Sequence, residues 1–219
     1  MAIVTVDFDG TLYQGNSFKA MFKVGKKRYT AKQWLTVYKG VARALALGLI
    51  KGKTVFKHEF FKAFARTFKD MEREELEAFF NELVKIGKNE INDELVTKIR
   101  EHKNNGDTII VISGALKPFL KAFVKDQKLD VHIISTELLY NSLGRCSGEI
   151  GTIMNGDMKV EGLKKWLDHQ EQQSNEIWAY ADSESDIPLL QYVTHPIVVN
   201  PKENMVKIAE QNNWVIFAT

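Results

Sequence analysis

The chain has 219 residues, 44% of them hydrophobic, enough for one large core or for a core with a smaller inserted unit. Its 30 basic and 28 acidic residues leave a net charge of only +2, which gives no general footprint for nucleic acid. A single cysteine, Cys146, excludes an intrachain disulfide and fits a reducing compartment. No signal-peptide pattern opens the chain, and no apolar stretch approaches the ~20 residues of a membrane span. The expectation is a cytoplasmic protein without stable membrane insertion; nothing in the sequence fixes an oligomeric state.

The first element is AIVTVDF at 2–8, a non-alternating apolar run of the kind found in a strand buried on both faces. It ends in VDFDGTL, which places Asp7 and Asp9 two residues apart before a turn at Gly10. About ninety residues follow (14–107) that read as entirely helical, with phenylalanines and leucines at helical spacing in HEFFKAFARTFKDM and EELEAFFNELVKI. An insertion of that size is expected to form its own helical unit, 14–95. Strand and helix then alternate: TIIVISG at 108–114, a helix at 116–126 and VHIIST at 131–136. The turn-rich stretch 137–157 predicts a hairpin or extended loop. A helix at 159–170, EIWAYAD at 176–182, a helix at 185–192, PIVVN at 196–200 and a helix at 202–212 complete the chain. Alternation of this kind predicts an α/β fold, a Rossmann-like parallel sheet with helices on both faces, formed by 1–13 and 96–219.

In a strand, residues two apart project to the same side, so Asp7 and Asp9 fall together beyond the carboxyl end of the sheet, where open α/β folds bind ligands. Adjacent carboxylates repel unless one is protonated or a cation lies between them. Mg²⁺ is the usual cation where a phosphate shares the site. Such a pair alone also occurs in glycosyltransferases and at ordinary polar strand ends. Three further strand or helix ends add chemistry. VISGA offers the Ser113 hydroxyl and the Gly114 backbone before a helix, a ready anion site. MKVEGLKKWL puts Lys159 at a helix start, where a cation is unfavourable unless an anion faces it. YADSESDIPLL brings Asp182 and Asp186 to a strand-to-helix connection.

Taken together, DFDGTL, VISG, Lys159 and ADSESD resemble the four motifs of the haloacid dehalogenase superfamily of phosphohydrolases. The likeness covers nearly the whole chain, and the helical insertion after the first motif is similar to that superfamily's C1 cap. The branch most similar is the phosphoserine-phosphatase-like one, subfamily IB. The resemblance implies a Mg²⁺-dependent phosphomonoester hydrolase acting on a small phosphorylated metabolite. It implies Asp7 as the nucleophile that forms an aspartyl-phosphate. Asp9 would be the general acid and base. Asp7, the Asp9 backbone carbonyl and Asp182 would hold the metal. Ser113, Gly114 and Lys159 would bind phosphoryl oxygens, and Asp186 would orient Lys159 or a metal-bound water.

Two departures concern the substrate. Asn16 stands where phosphoserine phosphatases carry an amine-binding glutamate, and an ungapped alignment puts Phe64, with Arg66 nearby, where they carry a carboxylate-binding arginine. Phosphoserine would then leave charged groups unpaired in a dry pocket, which argues against it as a good substrate. A third departure is Ala181 in place of the usual glycine before the fourth motif, tolerable if its backbone is not at positive φ. Transfer of the phosphoryl group to an acceptor other than water, as in a phosphotransferase or phosphomutase, is open on the same motifs. A receiver-type switch is disfavoured by Asp9 and by the insertion. A glycosyltransferase would leave Ser113, Lys159 and Asp182 without a role. The basic run KVGKKRYTAK (23–32) reads first as a solvated face; together with GVARALALGLI it admits a phospholipid-type substrate.

Overall fold

The computed structural model describes residues 1–51, 53–170 and 174–219. Strand β1 (Ile3–Val6) leads into four helices, α1 (Ser17–Arg28), α2 (Ala31–Lys51), α3 (Lys53–Thr67) and α4 (Arg73–Ile86). Gly52, inside the stretch expected to be helical, lies outside the described residues. A 3-10 turn at Lys88–Glu90 and helix α5 (Asp93–Asn104) return the chain to the sheet at β2 (Thr108–Leu116). Helix α6 (Lys117–Asp126) and β3 (His132–Thr136) follow, then a hairpin of β4 (Leu138–Tyr140) and β5 (Cys146–Ile150). Helix α7 (Asp157–Leu167), β6 (Ile177–Ala181), α8 (Ile187–Tyr192), β7 (His195–Val199), α9 (Glu203–Asn212) and β8 (Val215–Phe217) end the chain.

The six-stranded sheet has the order β3-β2-β1-β6-β7-β8, with every neighbouring pair parallel. The Rossmann-like α/β arrangement expected from the alternating runs is the one observed. Because successive side chains in a strand point to opposite faces, apolar runs without alternation supply two cores. Val4, Val6 and Val111 join Leu95 and Ile99 of α5 and Phe119 and Phe123 of α6 on one face. Ile3, Ile110 and Ile112 join Leu163 of α7, Leu189 of α8 and Met205 of α9 on the other. Strand β8 was not expected; WVIF is short, and Val215 and Ile216 are exposed at the sheet edge.

Helices α1–α4 bury their own phenylalanines, Phe61, Phe64, Phe68, Phe79 and Phe80 among them. This cluster is continuous with the sheet's. Phe80 stacks over Phe119 at 6.4 Å between ring centroids, and Phe119 meets Phe8, just beyond β1, edge-on at 5.2 Å. The hairpin joins from the other side: Asp70 N–H donates to the Cys146 carbonyl at 2.8 Å, and Cys146 N–H to the Met71 carbonyl at 3.0 Å. Cys146 itself is fully buried, and burial pushes its thiol pKa up, as suits an inert residue. Among the described residues, no helix is long and apolar enough to cross a membrane.

Candidate active site

Beyond Val6 the chain turns tightly outside the sheet. Phe8 carbonyl accepts from Tyr13 N–H at 2.8 Å, and Gly10 N–H donates to the Tyr13 carbonyl at 2.7 Å. Gly10 makes the turn possible in two ways. Its φ is +87°, and a β-carbon there would lie 2.3 Å from Asp182 Oδ2. Gly10→Ala is therefore expected to cost roughly 1–2 kcal/mol of backbone strain and to displace Asp182. A lower melting temperature and a weakened response of activity to Mg²⁺ would report this; an unchanged Mg²⁺ titration would refute it.

Asp7, Ser113, Gly114, Lys159, Asp182 and Asp186 are brought together around one cavity of about 500 Å³, which Asp9 also lines. Lys159 lies in the first turn of α7, buried despite its charge. Its Nζ donates to Asp7 Oδ1 at 2.6 Å and to Asp186 Oδ1. Burial alone would pull the ammonium pKa down, but Asp186 and Asp7 outweigh it and hold it above the ordinary lysine value. Thr11 Oγ1 donates to Asp182 Oδ1 at 3.2 Å and sits 3.5 Å from Asp7 Oδ2. Ser183 Oγ donates to Asp186 Oδ2 at 2.6 Å. Asp9 turns its carboxyl the other way: Ser17, the first residue of α1, donates its N–H to Oδ1 at 2.7 Å and its hydroxyl to Oδ2 at 2.6 Å. Ser113 is buried at the irregular end of β2, where its Oγ accepts from Ala115 N–H at 3.2 Å. Gly114 is held by Thr136, whose hydroxyl donates to its carbonyl at 2.8 Å.

Asp7, Asp182 and Asp186 each offer a carboxylate oxygen, all within 4.8 Å of one another, a grouping able to hold a metal ion. Two buried carboxylates, Asp7 and Asp186, and the half-buried Asp182 around one ammonium carry excess negative charge. Burial, with Asp186 and Asp182 opposing Lys159, pushes the Asp7 pKa up. Burial raises Asp9 to about 7 against the two Ser17 bonds, and burial with Asp186 raises Asp182 to about 6. Unfolded aspartates titrate near ~3.9. Between that value and about 6–7 the folded chain therefore holds more protons than the unfolded one, so these groups' contribution to stability falls as pH rises through that window. In EDTA the protein is expected to melt lower at pH 8 than at pH 5, and Mg²⁺ should narrow the gap by favouring the ionised carboxylates. Calorimetry at both pH values tests this; a larger Mg²⁺ effect at pH 5 would contradict it.

The specificity candidates divide. Asn16 borders the cavity, but its Oδ1 caps α1 by accepting from Phe18 N–H and Lys19 N–H at 3.0 and 3.2 Å. Phe64 does not reach the cavity: it is fully buried against Phe22, with ring centroids 4.8 Å apart. Arg66 does not reach it either. Two residues on along α3, it falls near the opposite side of the helix and lines a separate groove with Lys32, Lys69 and Gly148. The cavity wall is instead aromatic, from Phe18, Phe56, Phe60 and Phe61. Ala181 ends β6 without positive φ, so its side chain is accommodated. Thr11, Ser17, Ser183, Asn155 and Lys202 at the site were not singled out from the sequence. Thr11, inside DFDGTL, and Ser183, inside ADSESD, carried a positional signal.

Residues 4–191 match the family model described as haloacid dehalogenase-like hydrolase. The chain belongs to this family. Among curated sequences, it is 32% identical over 122 residues to a histidinol-phosphatase of Neisseria meningitidis serogroup C, covering 54% of each chain. It spans about half the length, or less, of the curated relatives it matches. In fold it is similar to a protein of unknown function from Bordetella pertussis Tohama I. That match has a TM-score of 0.83, 22% identity, and covers 99% of this chain and 97% of that one. It is also similar to a substrate-bound phosphoserine phosphatase, with a TM-score of 0.64, 18% identity, and 98% and 91% covered.

Proposed function

We propose that this chain is a Mg²⁺-dependent phosphomonoester hydrolase that works through an aspartyl-phosphate on Asp7. The observation that carries the reading is the buried Lys159 donating to Asp7 at 2.6 Å beside Asp182, Ser113 and an open cavity. A lysine buried among carboxylates is costly as a purely structural device. It is well suited to a site where an anionic phosphoryl group must approach an anionic nucleophile.

The excess of buried carboxylate over ammonium fits a divalent cation. Asp7, Asp182 and the Asp9 backbone carbonyl would hold it, with Asp186 beside them; Mg²⁺ would offset charge on the phosphoryl oxygens. An Asp7 carboxylate oxygen attacks phosphorus as the bond from phosphorus to the ester oxygen breaks. Lys159 and the Ser113 hydroxyl hold the equatorial oxygens, with backbone N–H groups after Ser113. Asp9 gives its proton to the departing oxygen, then takes one from the water that attacks the aspartyl-phosphate, and inorganic phosphate leaves. Asp186 keeps Lys159 in place. Residues 14–95 act as the cap, excluding water around the reacting centre.

The aromatic wall favours a substrate with a flat or apolar portion beyond the phosphate, and the described lining holds no acid outside the catalytic cluster to pair with the amine of phosphoserine. The Neisseria relative is named for histidinol phosphate, whose imidazole ring is one such portion. Hydrolysis of p-nitrophenyl phosphate is expected with Mg²⁺ and to vanish in EDTA. Phosphoserine is expected to stay below a kcat/KM of ~10⁴ M⁻¹s⁻¹, the low end for cognate substrates. Turnover persisting in EDTA would overturn the metal assignment, and fast phosphoserine turnover the reading of the pocket.

A further inference from the structure

The largest surface feature that the site leaves unexplained is the outer face of α2. Leu35, Tyr38, Ala42, Leu45 and Leu49 follow at steps of three, four, three and four residues, a continuous apolar stripe along one side of a helix. The fold uses the other side. Val37, Gly40 and Ala44 are buried, and a β-carbon on Gly40 would lie 2.2 Å from Ala63 Cβ of α3. The outer stripe stands open, with Leu35 53%, Tyr38 63%, Leu45 53% and Leu49 88% exposed. With Ile50, α2 carries five of the eleven large hydrophobic residues exposed among the described residues. Single exposed apolar residues need no explanation, but an aligned set on one helix marks a surface that is covered by something.

Charge selects the occupant. Helix α2 contains no aspartate or glutamate, while Lys32, Lys39 and Arg43 lie along it. Arg43 pairs with Glu59 of α3 at 3.2 Å; Lys39, beside Tyr38 on the outer side, is exposed. A second copy seated on the stripe would set the cations of one α2 against those of the other, with no acid on either helix to answer them. A layer of anionic headgroups answers the exposed Lys32 and Lys39. We propose that α2 docks flat on an anionic membrane surface, its stripe in the headgroup–acyl boundary and its lysines among the phosphates. The docked end lies beside the cavity. Gly48 packs against Phe56, where a β-carbon would come within 2.8 Å of Phe56 Cβ, and Phe56 lines the cavity wall.

The test is flotation of the intact chain with vesicles of phosphatidylcholine alone or with about a third phosphatidylglycerol. Binding does not need turnover, so the outcome is separate from that of the proposed hydrolase activity. Binding is expected to rise with phosphatidylglycerol and to fall at high salt. It should also fall about tenfold in L45D/L49D and severalfold in K39E. The variants should keep the wild-type melting temperature and p-nitrophenyl phosphate turnover. If L45D/L49D fails to fold, L45Q/L49Q replaces it with the same expectation. No flotation, binding independent of phosphatidylglycerol, or binding untouched by the stripe variants would overturn the proposal. So would a dimer in sedimentation velocity that the stripe variants dissociate, which would assign the stripe to a second copy.

Discussion

Replacing Asp7 by asparagine is expected to lower p-nitrophenyl phosphate turnover by about four orders of magnitude or more, the scale on which lost nucleophiles are felt. Asparagine keeps the shape and an oxygen that can accept from Lys159, but it has no carboxylate lone pair to attack phosphorus. The fold should not suffer. Asp7 is clustered with the buried Asp186 and the half-buried Asp182, and burial already disfavours its charge. Lys159 retains Asp186 as a partner. In EDTA, Asp7→Asn should melt at or above the wild-type temperature, while losing most of the stabilisation expected of Mg²⁺ in the wild type. Mass spectrometry after quenching should find phosphate on the wild-type peptide 1–19 and none on the variant's. Activity within tenfold of wild type would remove Asp7 from the role of nucleophile.

Replacing Lys159 by methionine should have the largest effect on stability. Methionine fills most of the lysine stem but removes the only ammonium bonded to Asp7 and Asp186 among the described residues. Leaving buried charge uncompensated costs roughly 3–5 kcal/mol. For a chain of this size that is roughly 6–20 °C of melting temperature. The loss should be smaller at pH 5 than at pH 8, because one of the stranded carboxyls can then take up a proton. Mg²⁺ should restore part of it. The rate should fall at least ~10²–10³-fold, as when a preorganised electrostatic partner is lost. A melting temperature within 2 °C of wild type at pH 8 (a tolerance of about 1 kcal/mol or less) would show that Lys159 does not neutralise the cluster.

Much of this was legible in the residues because the physics is local. An apolar run without alternation has nowhere to go but the middle of a covered sheet, and AIVTVDF, TIIVISG and EIWAYAD each did so. Lys159 stood out because a cation at a helix N-terminus needs an anion in front of it, and two are there. What was not legible depends on rotation and on distance through space. Helical spacing says that α3 has an apolar face, but not how that helix is turned. Phe60 and Phe61 line the cavity while Phe64 goes into the core and Arg66 to the far side. Thr11, Ser17 and Ser183 are small hydroxyl residues whose importance comes from which carboxylate the fold sets beside them. Strand β8 was missed because three exposed edge residues carry almost no burial signal.

The grip of Ser17 on Asp9 has a mechanical consequence. Ser17 is where the helical segment begins, and both of its donors hold the carboxyl that is proposed to deliver the proton. A tilt of α1 by a few degrees must either turn that carboxyl or break its two bonds. In the proposed hydrolase, the setting of α1 and the pose of the proton donor are therefore coupled through Ser17. Under the proposed mechanism, a substrate that failed to seat α1 would leave Asp9 turned away from the departing oxygen.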